Sequence, residues 1–236
     1  MNQHRFYTVF SAAVFSLFAI TSSAYAQADY DAFATVAGTY RVPTQGQLQV
    51  TVQGNRVQLS ANGQEAIDWL VGADAKTQAQ HRRLNNLAGS IIGEMIEGRD
   101  DVRRQVLPPT SHSADLTQLF AVYTDALGMP TQFAVIGTAP RADGSRQTYI
   151  QLDFEERTMY MRLSWHGKML NTITRSSAPT FEASCTAEAH QMNCSMLDEQ
   201  TIALHRDDLG TVTQLVQTRK TPSAAYRVVT TQLARQ

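Results

Sequence analysis

Charge of one sign, lysine, cysteine and long apolar runs are all scarce in this sequence. Among its 236 residues, 20 are Lys or Arg and 21 are Asp or Glu. A nucleic-acid binder neutralises phosphates and releases their counterions, which requires a basic face. The only lysines are Lys76, Lys168 and Lys220, and the arginines are spread along the chain without forming a polybasic tract. No apolar run beyond residue 26 approaches the ~20 residues of a membrane-spanning helix. Nucleic-acid partners and a membrane span in the mature chain are therefore not expected. With 43% hydrophobic residues the chain is too apolar for intrinsic disorder. One large or two small globular domains are expected.

Catalytic and cofactor motifs are also missing. No S-x-x-K occurs, since Ser164 and Lys168 are four apart. Gly89-Ser90-Ile91-Ile92-Gly93 has the wrong spacing for a nucleophile elbow and falls within a helical pattern. No G-x-x-x-x-G-K-[ST] or G-x-G-x-x-G supports nucleotide binding. The histidines after the leader are His81, His112, His166, His190 and His205, with no helical pair and no H-E-x-x-H. The expectation is no metal and no cofactor.

What is present begins with a leader. His4 and Arg5 precede an apolar run from Phe6 to Ile20, followed by Ala24 and Ala26 in the A-x-A pattern of a signal peptidase site. The reading is a signal peptide over residues 1–26, cut after Ala26, and a periplasmic or secreted protein. Cleavage removes Arg5 and no acid, shifting the formal charge from −1 to −2. In an oxidising compartment, Cys185 and Cys194 read as a disulfide across a turn-like stretch. A loop of that size is worth about 2.5–3 kcal/mol in the chain-entropy description. Two thiols and His190 make a poor metal set.

The period of the pattern then changes twice. Residues 39–66 read as three short strands, with turns at Gly54-Asn55 and Asn62-Gly63. From Thr77 to Gly98, Leu84, Leu87, Ala88, Ile91, Ile92, Met95 and Ile96 fall on one helical face, with Thr77 and Gln80 as a capping box. Helices are also predicted from Asp101 to Leu107 and from Ala114 to Leu127, the latter with Ser113 as N-cap. Strands return at Phe133-Val135, Arg146–Glu155, Thr158–Trp165 and Lys168–Arg175. Further strands follow at Phe181–Thr186, Met192–Leu197, Thr201–His205 and Thr211–Thr218, with Val228-Val229 as a short closing strand.

The predicted fold class is α+β. A small, barrel-like antiparallel β-domain is formed by residues 27–74 and 177–236. Residues 75–176 form an inserted domain of three helices and a curved antiparallel sheet. Tyr40-Arg41-Val42 and Tyr226-Arg227-Val228 suggest that the two ends complete each other.

Two resemblances follow from these patterns. Gly38-Thr39-Tyr40, Gly46-Gln47-Leu48-Gln49-Val50, Gly54–Leu59 and Ile202–Val216 resemble the small C-terminal β-domain of beta-lactamase-related serine hydrolases. The hydrolase domain that usually accompanies that module is missing. The middle block resembles the nuclear transport factor two-like, cystatin-like cone fold by its order of helices then sheet. That resemblance implies a concave site, for which Tyr123, Tyr149, Asp153, Tyr160, Arg162 and Trp165 are the ligand-pocket candidates. A strand's polar side is usually solvated, and Trp165 is equally a core residue.

Three functions remain open. The first is a non-catalytic exported binding or accessory protein, its partner a small apolar ligand or peptide or an envelope protein. The second is a small cone-fold enzyme of isomerase, lyase or hydrolase type acting on a small apolar molecule. The third is a structural or inhibitory partner of an envelope protein.

Overall fold

The computed structural model describes residues 35–42, 46–54, 56–99, 101–106, 113–188, 190–195, 199–220 and 228–235. The proposed leader, the Tyr226-Arg227 part of the repeated tripeptide and His112 lie outside them.

Three strands open the described chain: β1 (Gly38–Arg41), β2 (Gln47–Gln53) and β3 (Arg56–Asn62). Leu48 and Val50 alternate with exposed glutamines, so β2 buries one face only. The third strand ends at Asn62, where its turn was expected. Gly63 caps helix α1 (Gln64–Leu70) instead of turning a hairpin, so residues 64–66 are helical.

Helix α2 (Ala75–Ile96) begins with Asp74, whose carboxylate accepts a 2.7 Å hydrogen bond from the Thr77 N–H. Asp74 therefore takes the N-cap place expected of Thr77. Gly98, at φ 71°, ends the last turn. Helices α3 (Asp101–Val106) and α4 (Ser113–Leu127) follow, so the described chain has four helices where three were expected.

Strands β4 (Gln132–Pro140), β5 (Arg146–Asp153), β6 (Thr158–His166) and β7 (Met169–Ser176) form one antiparallel sheet in sequence order. Thr148, Ile150, Leu152, Met159, Met161, Leu163 and Trp165 are buried, and most of them share one hydrophobic core with Leu84, Ala88, Ile91 and Ile92 of α2. That is the sheet face packed beneath the helices.

The last strands are β8 (Glu182–Glu188), β9 (Gln191–Ser195), β10 (Glu199–Arg206), β11 (Val212–Lys220) and β12 (Val228–Arg235). With β1–β3 they make a closed eight-stranded antiparallel barrel in the order β1-β12-β11-β10-β9-β8-β3-β2. The closing strand is eight residues long, more than the Val228-Val229 pair suggested. Closure satisfies the edges that an open sheet would leave unpaired. Cys185 and Cys194 face each other across the β8–β9 ladder and are joined by a disulfide, as expected.

The barrel has its own core, which includes Val50, Leu59, Ile202 and Leu215. Ala66, Ile67, Trp69 and Leu70 of α1 belong to this core rather than to that of α2. Yet α1 also touches the other sheet. A Cβ on Gly137 of β4 would lie 2.5 Å from Ile67 Cδ1 and 3.1 Å from Gln64 Oε1. Glycine at 137 is what lets helix and strand approach so closely. Helix α1 is thus the piece between the two cores.

Candidate functional site

The seam between the cores holds an unbroken polar chain. Gln64 of α1 pairs with the main chain of Thr138 as a strand would. Its Oε1 accepts from the Thr138 N–H at 2.6 Å and its Nε2 donates to the Thr138 carbonyl at 3.0 Å. This caps part of the free edge of β4 and fixes which way the amide points. Gln64 Nε2 also donates to Asp68 Oδ1 at 2.8 Å, and Asn85 Nδ2 of α2 donates to Gln64 Oε1 at 2.7 Å. The Thr138 hydroxyl donates to Asn85 Oδ1 at 2.6 Å. Having spent its proton there, it accepts from Thr148, also at 2.6 Å, and Thr148 accepts from Trp165 Nε1 at 2.9 Å. From side chain to side chain the donors therefore point one way, from the indole to the Asp68 carboxylate, while Gln64 Nε2 also donates back to the Thr138 carbonyl.

At that end sits His81, fully buried, its Nδ1 2.6 Å from Asp68 Oδ1. An ionised carboxylate only accepts, so Nδ1 carries the proton. In the neutral ring the lone pair is then on Nε2, which is buried without a partner. A His oriented by a carboxylate, with its second nitrogen open, is the base-and-orienter half of a nucleophile-activating site. Among the described residues no three His, Cys, Asp or Glu side chains gather as a metal set.

The six pocket candidates do not share one surface. Trp165 is fully buried in the core beneath the sheet, where its N–H anchors the polar chain. Tyr123, on α4, is buried in the same core, and that burial pushes its phenol up, with Arg175 opposing. Tyr149, Asp153, Tyr160 and Arg162 come out on the opposite, half-buried face of the sheet. Neither placement is a single concave pocket lined by all six.

That outer face has its own order. In register across the sheet run Gly137, Tyr149, Arg162 and Thr174. Tyr149 meets Phe181 edge-on, centroids 5.4 Å apart, and its hydroxyl donates to Gln147 at 2.9 Å. Arg162 Nε and the Thr174 hydroxyl are sealed from solvent with no hydrogen-bond partner. Asp153, at the far end of β5, accepts from Thr158, Gln151 and Gln132. Those hydrogen bonds, led by Thr158 and then Gln151, hold its carboxyl below the usual carboxylate range.

No family model, no curated protein and no solved structure matches this chain.

Asp68, His81, Gln64 and Asn85 were not among the sequence candidates. One signal was available. Gln64 and Asp68 are four apart, as are His81 and Asn85, so each pair lies on one face of its helix. A search confined to pairs of histidines passes over both.

Proposed function

We propose that this is an exported, non-catalytic binding or accessory protein of the bacterial envelope, and that its contact surface is the outer face of the β4–β7 sheet. The observation that carries this reading is the half-exposed row Tyr149–Arg162–Thr174, which holds polar groups left unsatisfied. Beneath the sheet, by contrast, the Thr138 and Thr148 hydroxyls and the Trp165 indole are spent on one another and on Asn85. Binding sites favour seams between packed units, and Tyr149 touches Phe181 just ahead of the first strand of the barrel's second part. Export is supported by the A-x-A leader and by the disulfide, which suits an oxidising compartment. A barrel drawn from both ends of the chain supports the reading of residues 75–176 as a cone-type unit inserted in a β-domain of the hydrolase-appended kind.

The test uses the full mature chain, disulfide intact, mixed with the small-molecule fraction of a periplasmic extract. The expected result is a raised melting temperature and slowed amide exchange in residues 146–153 and 158–166. No change with any fraction, or protection confined to barrel strands, would overturn the reading.

One observation favours the enzyme reading instead: the open Nε2 of the His81–Asp68 pair. A base must be reached by a reactant. Diethyl pyrocarbonate modifying His81 in the folded protein would support this reading. A His81 left intact while exposed histidines such as His166 and His205 react would remove it.

A further inference from the structure

We infer that the outer sheet face takes a small aryl or alkyl monocarboxylate, gripped by Arg162 and Thr174. This rests on the binding role proposed above and names its ligand class. Arg162 and Thr174 are directly opposed on β6 and β7, so their Cβ atoms stand about 4.5–5.5 Å apart on one face. Arg162 Nε and Thr174 Oγ1 are both sealed and both unpaired. A shielded donor without an acceptor costs folding free energy, and two such donors on directly opposed residues match the two oxygens of one carboxylate.

Charge argues the same way. Among the described residues no carboxylate lies within ion-pairing reach of Arg162. The acid that shares its face, Asp153, is four residues along β5 from Tyr149, about 13 Å away at the rise of a strand. Its oxygens are already taken by Thr158, Gln151 and Gln132. One uncompensated guanidinium calls for one negative charge. A phosphate dianion would bring a second charge, for which the row Gly137–Tyr149–Arg162–Thr174 holds no second cation.

The ligand's body is set by the neighbours. Tyr149, fixed by Phe181 and by Gln147, lies on one side of Arg162. Tyr160 lies two residues before it on the same strand face. Two rings beside a planar cation suit an apolar or aromatic group carrying a single acid.

The experiment is calorimetric titration of the full mature chain at neutral pH. The probes are benzoate, phenylacetate and hexanoate, each with its matched primary amide, and inorganic phosphate. At least one carboxylate is expected to bind, with its amide and phosphate about tenfold weaker or worse. Arg162→Gln is expected to weaken that carboxylate by about tenfold or more. Arg162→Lys falls between, because an ammonium is a point charge without the planar fork. Thr174→Val weakens it several-fold. Circular dichroism and melting confirm that the variants are folded. Equal binding of acid and amide, full affinity in folded Arg162→Gln, or no binding by any carboxylate overturns the inference. If periplasmic extract still protects β5 and β6 in that case, the binding role stands without the carboxylate. If neither probe nor extract acts on this face, both fall.

Discussion

Replacing His81 with Leu is expected to cost about 3–5 kcal/mol of stability, because among the described residues it leaves the interior Asp68 carboxylate with Gln64 alone to serve it. Asp68→Leu is expected to be costly too, since His81 Nδ1 would keep only the long 3.5 Å approach of Gln64 Nε2 while Nε2 stays unpartnered. The double variant should lose less than the two single losses combined. Once both members are apolar, no uncompensated group remains, and burial of two leucines offsets part of the change. Urea unfolding of the three variants reads this as a shift of midpoint at constant slope. Strict additivity, or single losses below about 1 kcal/mol, would show that the pair is not a coupled buried unit. The same data report on the seam. Asp68 is on the helix that joins the barrel core, and His81 is on the helix that covers the other sheet. Loosening the pair therefore weakens the joint between the two cores while unfolding stays a single transition.

Loss of the Cys185–Cys194 bond should destabilise the protein by about 2.5–3 kcal/mol, the entropy of closing a loop of this length. The bond joins residues already opposed in the β8–β9 ladder, and both half-cystines are buried in the barrel core. Cys185→Ala with Cys194→Ala avoids leaving a reactive thiol. The urea midpoint of that variant should equal that of the wild-type chain in excess reductant. A midpoint unmoved by reductant would mean that the ladder and core hold the hairpin without help.

Much of the fold could be read from period. The α2 stripe Leu84, Ala88, Ile91, Ile92 and Met95 is buried as its spacing demanded, and so are the alternate residues of β5 and β6. The β6–β7 turn was legible because His166-Gly167 supplies a glycine, at φ 60°, where the hairpin needs a left-handed residue. Helix α1 was not legible, for a physical reason. Ala66 through Leu70 are all buried, so no polar stripe betrays a helical period, and seven residues give barely two turns. Preceded by Asn62-Gly63, the segment imitates the end of a hairpin. The polar chain was hidden for a related reason. Its members come from two helices and three strands, and their meeting depends on α1. Of the six pocket candidates, pattern alone separated Trp165 from Tyr149, Asp153, Tyr160 and Arg162 by strand parity. It could not place the barrel against one end of that face.

The way the barrel closes bears on how the chain can assemble as it emerges from a ribosome or a translocation channel. The β4–β7 sheet is a meander, each strand pairing with its sequence neighbour, so its contacts can form while the rest of the chain is still being delivered. The barrel has no such freedom. Its first strand takes β12 as a partner, with Tyr40 opposite Arg235, and β3 must wait for β8, with Val57 opposite Cys185. Until residues 182–235 arrive, β1–β3 carry two unpaired rims. That interval is when the nascent protein is most open to pairing with the wrong strand, its own or another chain's.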